Sequence, residues 1–297
     1  MDFPGKFGDH IMPDELHKIN LSFIVNKFER RRGGTAGNTS YNLGLLNTKH
    51  ILFSYAGKDF EPYKNEFKKF NISTKYVKID LKVHTATGFA MTDKTDNQIW
   101  GYFYGAAKNS AKLKIKEVAY KNDLVHVGPA GAKGTMSIVK QCIRHKIPYV
   151  FDPGFILTEV SDEDLEKGVA NCSYLIGNDY EITLIKNRLK HWETLFKNKT
   201  IITTLGASGA KIEESGKTIK IKVAKARKVV DPSGAGDAWR GGFLAGLQKG
   251  LDLKTCGQMG AVASSFAVEK YGTQGYIFTF QQFKNRYRQN YNKMLNL

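Results

Sequence analysis

From about residue 110 onward, short apolar runs alternate with amphipathic stretches, and this rhythm limits the possible folds more than any other feature of the 297-residue sequence. The runs DLVHVGPA (123–130), IPYVFDPG (147–154), CSYLIGND (172–179) and TIITTLGASG (200–209) each run out into glycine, proline or aspartate. Between the first two lies GTMSIVKQCIRHK (134–146), with Met136, Val139 and Ile143 at helical spacing, and DEDLEKGVAN (162–171) fills the next gap. Strand, loop, helix, strand is the pattern of βαβ units and of a parallel sheet covered by helices. Ligands of such sheets bind at the loops leaving the C-terminal strand ends, which is where Gly128, Asp152, Asn178 and Gly206 fall. Residues 234–271 read as two further helices, with Phe243, Leu244 and Leu247, then Met259, Val262 and Phe266, turned inward.

Two earlier segments follow a different period. LHKINLSFIVNKFERRRGG (16–34) and TKYVKIDLKVHTATGFAMTDKTDNQIWGYFYG (74–105) alternate polar residues with β-formers, the second with a turn at 93–97. They predict antiparallel strands exposed on at least one face, separated by helical stretches at Tyr41–Leu46 and within KDFEPYKNEFKKF (58–70). The expected partition is an α/β core of residues 1–15, 33–75 and 105–297, with a small β-sheet lid of residues 16–32 and 76–104 over its mouth.

Charge narrows the ligand class. Lys and Arg number 45 against 28 Asp and Glu, a formal net charge of +17. The basic residues are scattered, and the densest cluster, KFERRR (27–32), contains a glutamate. That pattern reads as a solvated surface rather than a nucleic-acid footprint, though the positive field favours an anionic ligand. Cys142, Cys172 and Cys256 form neither a CxxC pair nor a disulfide framework, which points to a reducing compartment. The opening MDFPGKFGDH has no leader pattern, and no apolar stretch is long enough to span a bilayer. A cytoplasmic protein without a membrane partner is expected. GPAGAKGT (128–135) lacks P-loop spacing, and the seven histidines show no zinc-ligand spacing.

The chemistry concentrates in DPSGAGDAWRGG (231–242). Gly234, Ala235 and Gly236 leave their backbone N–H groups open to close approach, and the apolar pattern from Ala238 makes them the first turn of a helix. Unpaired amides there form an anion site. Asp237 then lies beside a bound phosphate, where a carboxylate can take the proton of an attacking hydroxyl. Taken alone, the same residues also fit a helix cap, with Ser233 or Asp237 capping.

The motif resembles the signature of the ribokinase-like family of carbohydrate and nucleoside kinases, D-T/P-x-G-A/V-G-D-x-F-x-G-G, with Trp239 in place of phenylalanine. The resemblance implies a three-layer α/β/α fold with a mostly parallel sheet and a small β-sheet lid. It implies that Asp237 is the catalytic base and that the Gly234, Ala235 and Gly236 amides stabilise the transferring phosphoryl group. GGTAGN (33–38) resembles the N-terminal G-G-x-x-x-N, which would place Gly33, Gly34 and Asn38 at the substrate; NDYE (178–181) resembles N-x-x-E, which would place Asn178 at the nucleotide and Glu181 near Mg²⁺ through water. TLGASG (204–209) looks like the nucleotide-side loop, giving Thr204, Gly206 and Gly209. Within the family the opening FPGKFGDHIMPDELHKINLSF, GYFYGAA (101–107) and GTQG (272–275) look most like bacterial adenosine kinases. Phe103 and Phe23 are then candidates for packing against a purine, with Gly272 and Gln274 near the nucleotide.

The resemblance therefore implies an ATP- and Mg²⁺-dependent kinase for the 5′-hydroxyl of adenosine or a related nucleoside, with K⁺ activation and a homodimer through the lid left open. A kinase for a free sugar such as ribose is the alternative, and a non-catalytic binding homologue a third reading. One departure bears on all three. Family members open with a core strand followed by an aspartate that grips the sugar, and Asp2 and Asp9 do not match that aspartate. Loss of such a strand is expected to expose its neighbours' ladders.

Overall fold

Neighbouring residues along each central strand face two different hydrophobic cores, and this alternation organises the molecule. The computed structural model describes residues 1–11, 21–95 and 97–295. Along the chain, α1 (Thr35–Leu45), β1 (Ser54–Gly57), α2 (Glu61–Lys68) and β2 (Val77–Asp80) precede a hairpin of β3 (Thr87–Thr92) and β4 (Gln98–Phe103). Then come β5 (Val125–Val127), α3 (Gly131–His145), β6 (Tyr149–Phe151), α4 (Asp162–Asn171), β7 (Tyr174–Asn178), α5 (Asp179–Arg188), α6 (Trp192–Phe196) and β8 (Thr200–Thr204). The hairpin strands β9 (Ala210–Glu214) and β10 (Lys217–Ile221) follow, then α7 (Ala235–Gln248), α8 (Leu253–Ala267) and α9 (Phe280–Tyr291).

The main sheet has the order β10-β9-β8-β7-β6-β5. β5 to β8 run parallel, and β9 and β10 add antiparallel at the far side. Tyr149, Phe151, Leu175 and Ile201 pack against α3, α4 and α5 through residues such as Val139, Leu165 and Ile185. Val150, Ile176 and Ile202 point to the opposite face, onto α7 and α8 through Phe243, Met259 and Val262. A strand covered on both sides has to be apolar at every position, so these runs lack polar alternation. Each side chain such as Ile202, with no exposed surface, contributes about 1.5–3 kcal/mol of burial.

Local chemistry sets the helix ends. Ser161 caps α4 by accepting the Asp164 N–H. At the end of α3, Lys146 takes a left-handed conformation and Pro148 follows two residues later.

The lid differs from the expectation. Residues 12–20, including the start of the expected lid segment 16–32, lie outside the described residues, as does Asp96 in the expected 93–97 turn. Residues 21–32 form no strand; among the described residues their only ladder contact is an isolated bridge of Lys27 with Asp2. Alternation is not enough for a strand when the segment meets no continuous partner. Segment 76–104 also divides. β2 pairs in parallel with β1, register Ser54 with Val77, as a separate two-stranded sheet. Only β3 and β4 form the antiparallel hairpin, Thr87 opposite Phe103. Its turn is tied by the buried Asp93 carboxylate, which accepts the Thr95, Asn97 and Phe7 N–H groups. Burial opposes ionisation of Asp93, but these donors hold its pKa well below the ordinary carboxylate range.

Candidate active site

The mouth of α7 is built around a glycine. Gly234, at its N-cap, has φ +77°, and a Cβ placed there would lie 2.8 Å from Cβ of Thr273. No side chain caps this helix. The Ala235 N–H closes a turn onto the Pro232 carbonyl at 3.1 Å, and the Ala238 N–H bonds the Gly234 carbonyl at 2.9 Å. The N–H groups of Gly234, Gly236 and Asp237 have no acceptor among the described residues. The expected anion donors are therefore revised at one position: the Ala235 amide belongs to the turn, and the Asp237 amide is free. Neither Ser233 nor Asp237 caps, so the capping alternative falls.

The Asp237 carboxylate stands at this rim. Its Oδ2 accepts the Asn38 side-chain N–H at 2.7 Å. Asn38 is buried on α1 and fixed on several sides. Its Oδ1 accepts from Gln274 at 2.8 Å, and its carbonyl accepts the Asn42 side chain at 3.0 Å. Gln274 also donates to the Tyr63 hydroxyl, which donates to the Gly33 carbonyl at 2.7 Å. A continuous polar chain thus runs from Gly33 through Tyr63, Gln274 and Asn38 to Asp237. Gly34, at φ +87°, starts α1 and receives the Asn38 N–H on its carbonyl. Gln274, expected near the nucleotide, is a link in this chain. Burial raises the Asp237 carboxyl; the Arg240 guanidinium and the Asn38 hydrogen bond oppose that rise, and Asp152 adds to it.

The motif's other carboxylate has a structural task. Asp231 accepts the Ser233 N–H on Oδ1 and the Gly272 N–H on Oδ2, both at 2.8 Å. Gly272 has φ +80°, and a Cβ there would lie 2.6 Å from Arg31 Cδ. Thr273 Oγ1 donates to the Arg32 carbonyl at 3.0 Å. Segments 31–34, 231–237 and 271–274 therefore meet at the helix mouth.

On the other side, Asn178 and Thr204 are register partners at the C-terminal ends of β7 and β8. Asn178 and Glu181 form a reciprocal cap on α5: Asn178 Oδ1 accepts the Glu181 N–H at 2.8 Å, and Glu181 Oε2 accepts the Asn178 N–H at 2.7 Å. Gly206 sits at φ +55° with open space beside it, whereas Gly209, at φ +92°, would drive a Cβ to 2.1 Å from the Ile221 carbonyl. Among the described residues no three His, Cys, Asp or Glu side chains converge as a metal cage. One Glu181 oxygen is committed to the cap, so these residues do not fit a direct divalent-cation site.

The two aromatic candidates sit apart in character. Phe103 ends β4 and is 46% exposed. Phe23 packs edge-on against Phe3 and Phe7, with ring centroids 4.8 and 5.4 Å away, as part of an aromatic cluster.

An ionic group lies beneath the site, and its Asp152 is legible in the sequence only as a strand-end residue. Asp152, at the end of β6 and 1% exposed, accepts from Arg240 Nη2 at 2.7 Å and from Nε, and lies 2.8 Å from His126 Nε2. Burial would raise the Asp152 carboxyl, but Arg240 and His126 hold it down at about 2. The available signal was Arg240 itself, a lone charge in the glycine-rich and apolar stretch AWRGGFLAGL.

Free amides at a helix mouth, a carboxylate on their rim and a parallel sheet whose C-terminal edges open beside them define an α/β phosphotransferase for an alcohol acceptor. The chain belongs to the pfkB family of carbohydrate kinases, which it matches over residues 6–277, and is an ATP-dependent kinase of the ribokinase fold. It is 30% identical to the nucleoside kinase of Methanocaldococcus jannaschii over 277 residues, 92% of this chain and 91% of that one. The solved structure of Burkholderia thailandensis nucleoside kinase in complex with inosine superposes with a TM-score of 0.90 at 30% identity, covering 99% of this chain and 95% of that one. The same enzyme in complex with ADP and inosine gives a TM-score of 0.88 at 31% identity, over 99% and 93%. No helix among the described residues is long and apolar enough to cross a membrane.

Proposed function

We propose that the chain phosphorylates the 5′-hydroxyl of a nucleoside, with adenosine the first acceptor to examine. The observation that carries this reading is the placement of the Asp237 carboxylate beside the free N–H groups of Gly234, Gly236 and Asp237. Likeness over nearly the whole chain to proteins named nucleoside kinases, one of them solved with inosine, supports a nucleoside over a free sugar.

In this mechanism Asp237 accepts the proton of the acceptor hydroxyl as its oxygen attacks the γ-phosphorus of ATP. The new O–P bond forms as the bond to the β–γ bridging oxygen breaks, and ADP departs with that electron pair. The free amides at the mouth of α7 hold charge that develops on the phosphoryl oxygens, where fixed dipoles need no reorganisation. Burial makes Asp237 a stronger base than an exposed carboxylate, while Asn38 keeps its Oδ2 oriented. A divalent ion would supply further charge neutralisation there, and Glu181 is the residue that would help hold it, through water. Asn178, Thr204, Gly206 and Gly272 border the nucleotide, and Phe103 on the hairpin faces the base. The exposed Ile99, Trp100 and Tyr102 on β4 suit that hairpin to a second copy of the chain as well.

The deciding experiment follows ATP consumption with adenosine, inosine, guanosine, ribose and fructose, and locates the phosphate on the product. Phosphorylation of nucleosides at the 5′ position, adenosine among the best, is the expected result. Preference for a free sugar overturns the nucleoside reading, and equal rates for all bases remove the role of Phe103.

A further inference from the structure

Arg240 lies four residues after Gly236 and so on the same face of α7. Side chains on a helix lean toward its N-terminus, which carries this guanidinium back to the first turn. The contact is tight: a Cβ placed on Gly236 would lie 2.8 Å from Arg240 Nη1. Nε and Nη2 are both committed to Asp152. Nη1 has no hydrogen-bond partner among the described residues, and it is not one of the sealed polar atoms left without a partner. The guanidinium is therefore anchored along one edge and open on the other, next to the free amides.

Neutralising Asp152 does not explain this arrangement. A cation at a helix N-terminus works against the positive end of the helix dipole, so the position is unfavourable unless further negative charge comes close. Asp152, Asp237 and Glu181 all strengthen Arg240's hold on its proton, which puts the guanidinium amid three carboxylates. A phosphoryl group arriving beside Asp237 brings more negative charge to the same spot. Arginine suits it because a planar fork can bond a carboxylate with one edge and a phosphate oxygen with another, as a lysine ammonium on one stem cannot.

We propose that Arg240 is a catalytic cation of the transfer: pinned from behind by Asp152, it donates from Nη1 to an oxygen of the migrating phosphoryl group. The inference rests on the phosphotransfer reading above. It adds a donor to that step and changes no bond made or broken: the acceptor oxygen gains the phosphorus, ADP leaves with the bridging electron pair, and Asp237 takes the proton. Asp152 and His126 are positioning residues for the guanidinium.

The test compares wild type with Arg240→Lys, Asp152→Asn and the double variant Asp152→Asn/Arg240→Met. The double variant removes the guanidinium together with its Asp152 partner, so neither member of that buried pair is left without the other, and the melting curve reports folding separately from turnover. Expected for it are a melting curve close to wild type, an ATP KM and ADP affinity within about 3-fold, and kcat lower by about 10²-fold or more. Binding of ADP with aluminium fluoride, which imitates the planar phosphoryl group, should weaken in parallel with kcat, a change that a merely structural role would not produce. Arg240→Lys should lose about 10-fold or more in kcat with ADP affinity kept, and Asp152→Asn should lose less than the double variant. A folded Arg240 variant, single or double, with kcat within about 5-fold of wild type and unchanged aluminium fluoride binding overturns the proposal alone. A wild-type chain that phosphorylates no alcohol overturns the reading beneath it, and this proposal with it.

Discussion

Asn38 Nδ2 donates to Asp237 Oδ2 across 2.7 Å, joining the first helix to the seventh. This bond fixes the lone-pair direction of the carboxylate that faces the helix mouth. Asn38 has little freedom of its own, since Gln274 holds the other end of its amide. Gly33, ahead of the first helix, and Asp237, at the mouth of the seventh, thereby belong to one hydrogen-bonded unit.

Replacing Asp237 with asparagine should leave a folded, ATP-binding protein whose turnover falls by about 10²-fold or more. Steady-state kinetics with a thermal melt check both halves of this expectation. Near-wild-type turnover in a folded variant removes Asp237 from the role of base.

The pH profile follows from the same carboxyl. Asp237 must be ionised to act, and burial raises its pKa, so the acidic limb of kcat/KM should lie above the ordinary carboxylate range. The groups that bear on it are Arg240, Asp152 and His126, with the Asn38 amide, while the Tyr63 and Tyr276 phenols are neutral neighbours. Asn38→Leu removes a bond that favours the ionised form, so that limb should move to higher pH and kcat at neutral pH should fall about 10-fold. An unmoved limb in Asn38→Leu means the hydrogen bond is unimportant in solution.

Stability should change in the opposite sense to activity. A carboxyl whose folded pKa is raised contributes stability below its unfolded pKa and loses that contribution as pH rises through the folded value. At neutral pH the ionised Asp237 therefore weakens the fold, and Asp237→Asn should melt higher than wild type by roughly 2–4 °C, with the gap closing in acid. Calorimetry at two pH values decides the sign.

Gly234→Ala should damage both properties. A left-handed conformation costs a non-glycine residue roughly 1–2 kcal/mol, and the new methyl would press on Thr273. Denaturant unfolding should register at least that loss, with kcat lower by about 10²-fold as the free amides shift. Wild-type stability in this variant means the turn is not held as described.

Glu181→Gln separates capping from charge. Glutamine preserves the reciprocal cap with Asn178, so the melting temperature should stay within about 2 °C. The Mg²⁺ concentration for half-maximal rate should rise several-fold if the carboxylate meets the ion through water. An unchanged Mg²⁺ response leaves Glu181 as a cap alone.

The parallel sheet is legible because doubly covered strands such as Tyr149–Phe151 and Tyr174–Asn178 are apolar on both faces over most of their length, and the first turn of α7 is legible because Gly234 and Gly236 have few other uses there. What the sequence concealed depends on partners. Residues 21–32 alternate like a strand, but among the described residues their ladder pairing is limited to the bridge with Asp2. The β9–β10 hairpin and α9 have weaker signals, Ser215-Gly216 between alternating runs and the Thr279–Gln282 capping pair. Arg240 lies within the glycine-rich motif in sequence, and only the fold places Asp152, 88 positions earlier, against it.

The Asn38–Asp237 bond spans 199 positions, and the Thr273 contact with Arg32 spans 241. Pairings of that range are the slowest to close as a chain folds. A ribosome-bound chain lacking its last quarter would hold every strand of the main sheet but neither Asp237 nor residues 271–274, so these long-range bonds form only once synthesis is nearly complete. Slight loosening of the 271–274 loop should silence the enzyme while its spectroscopic signature stays native.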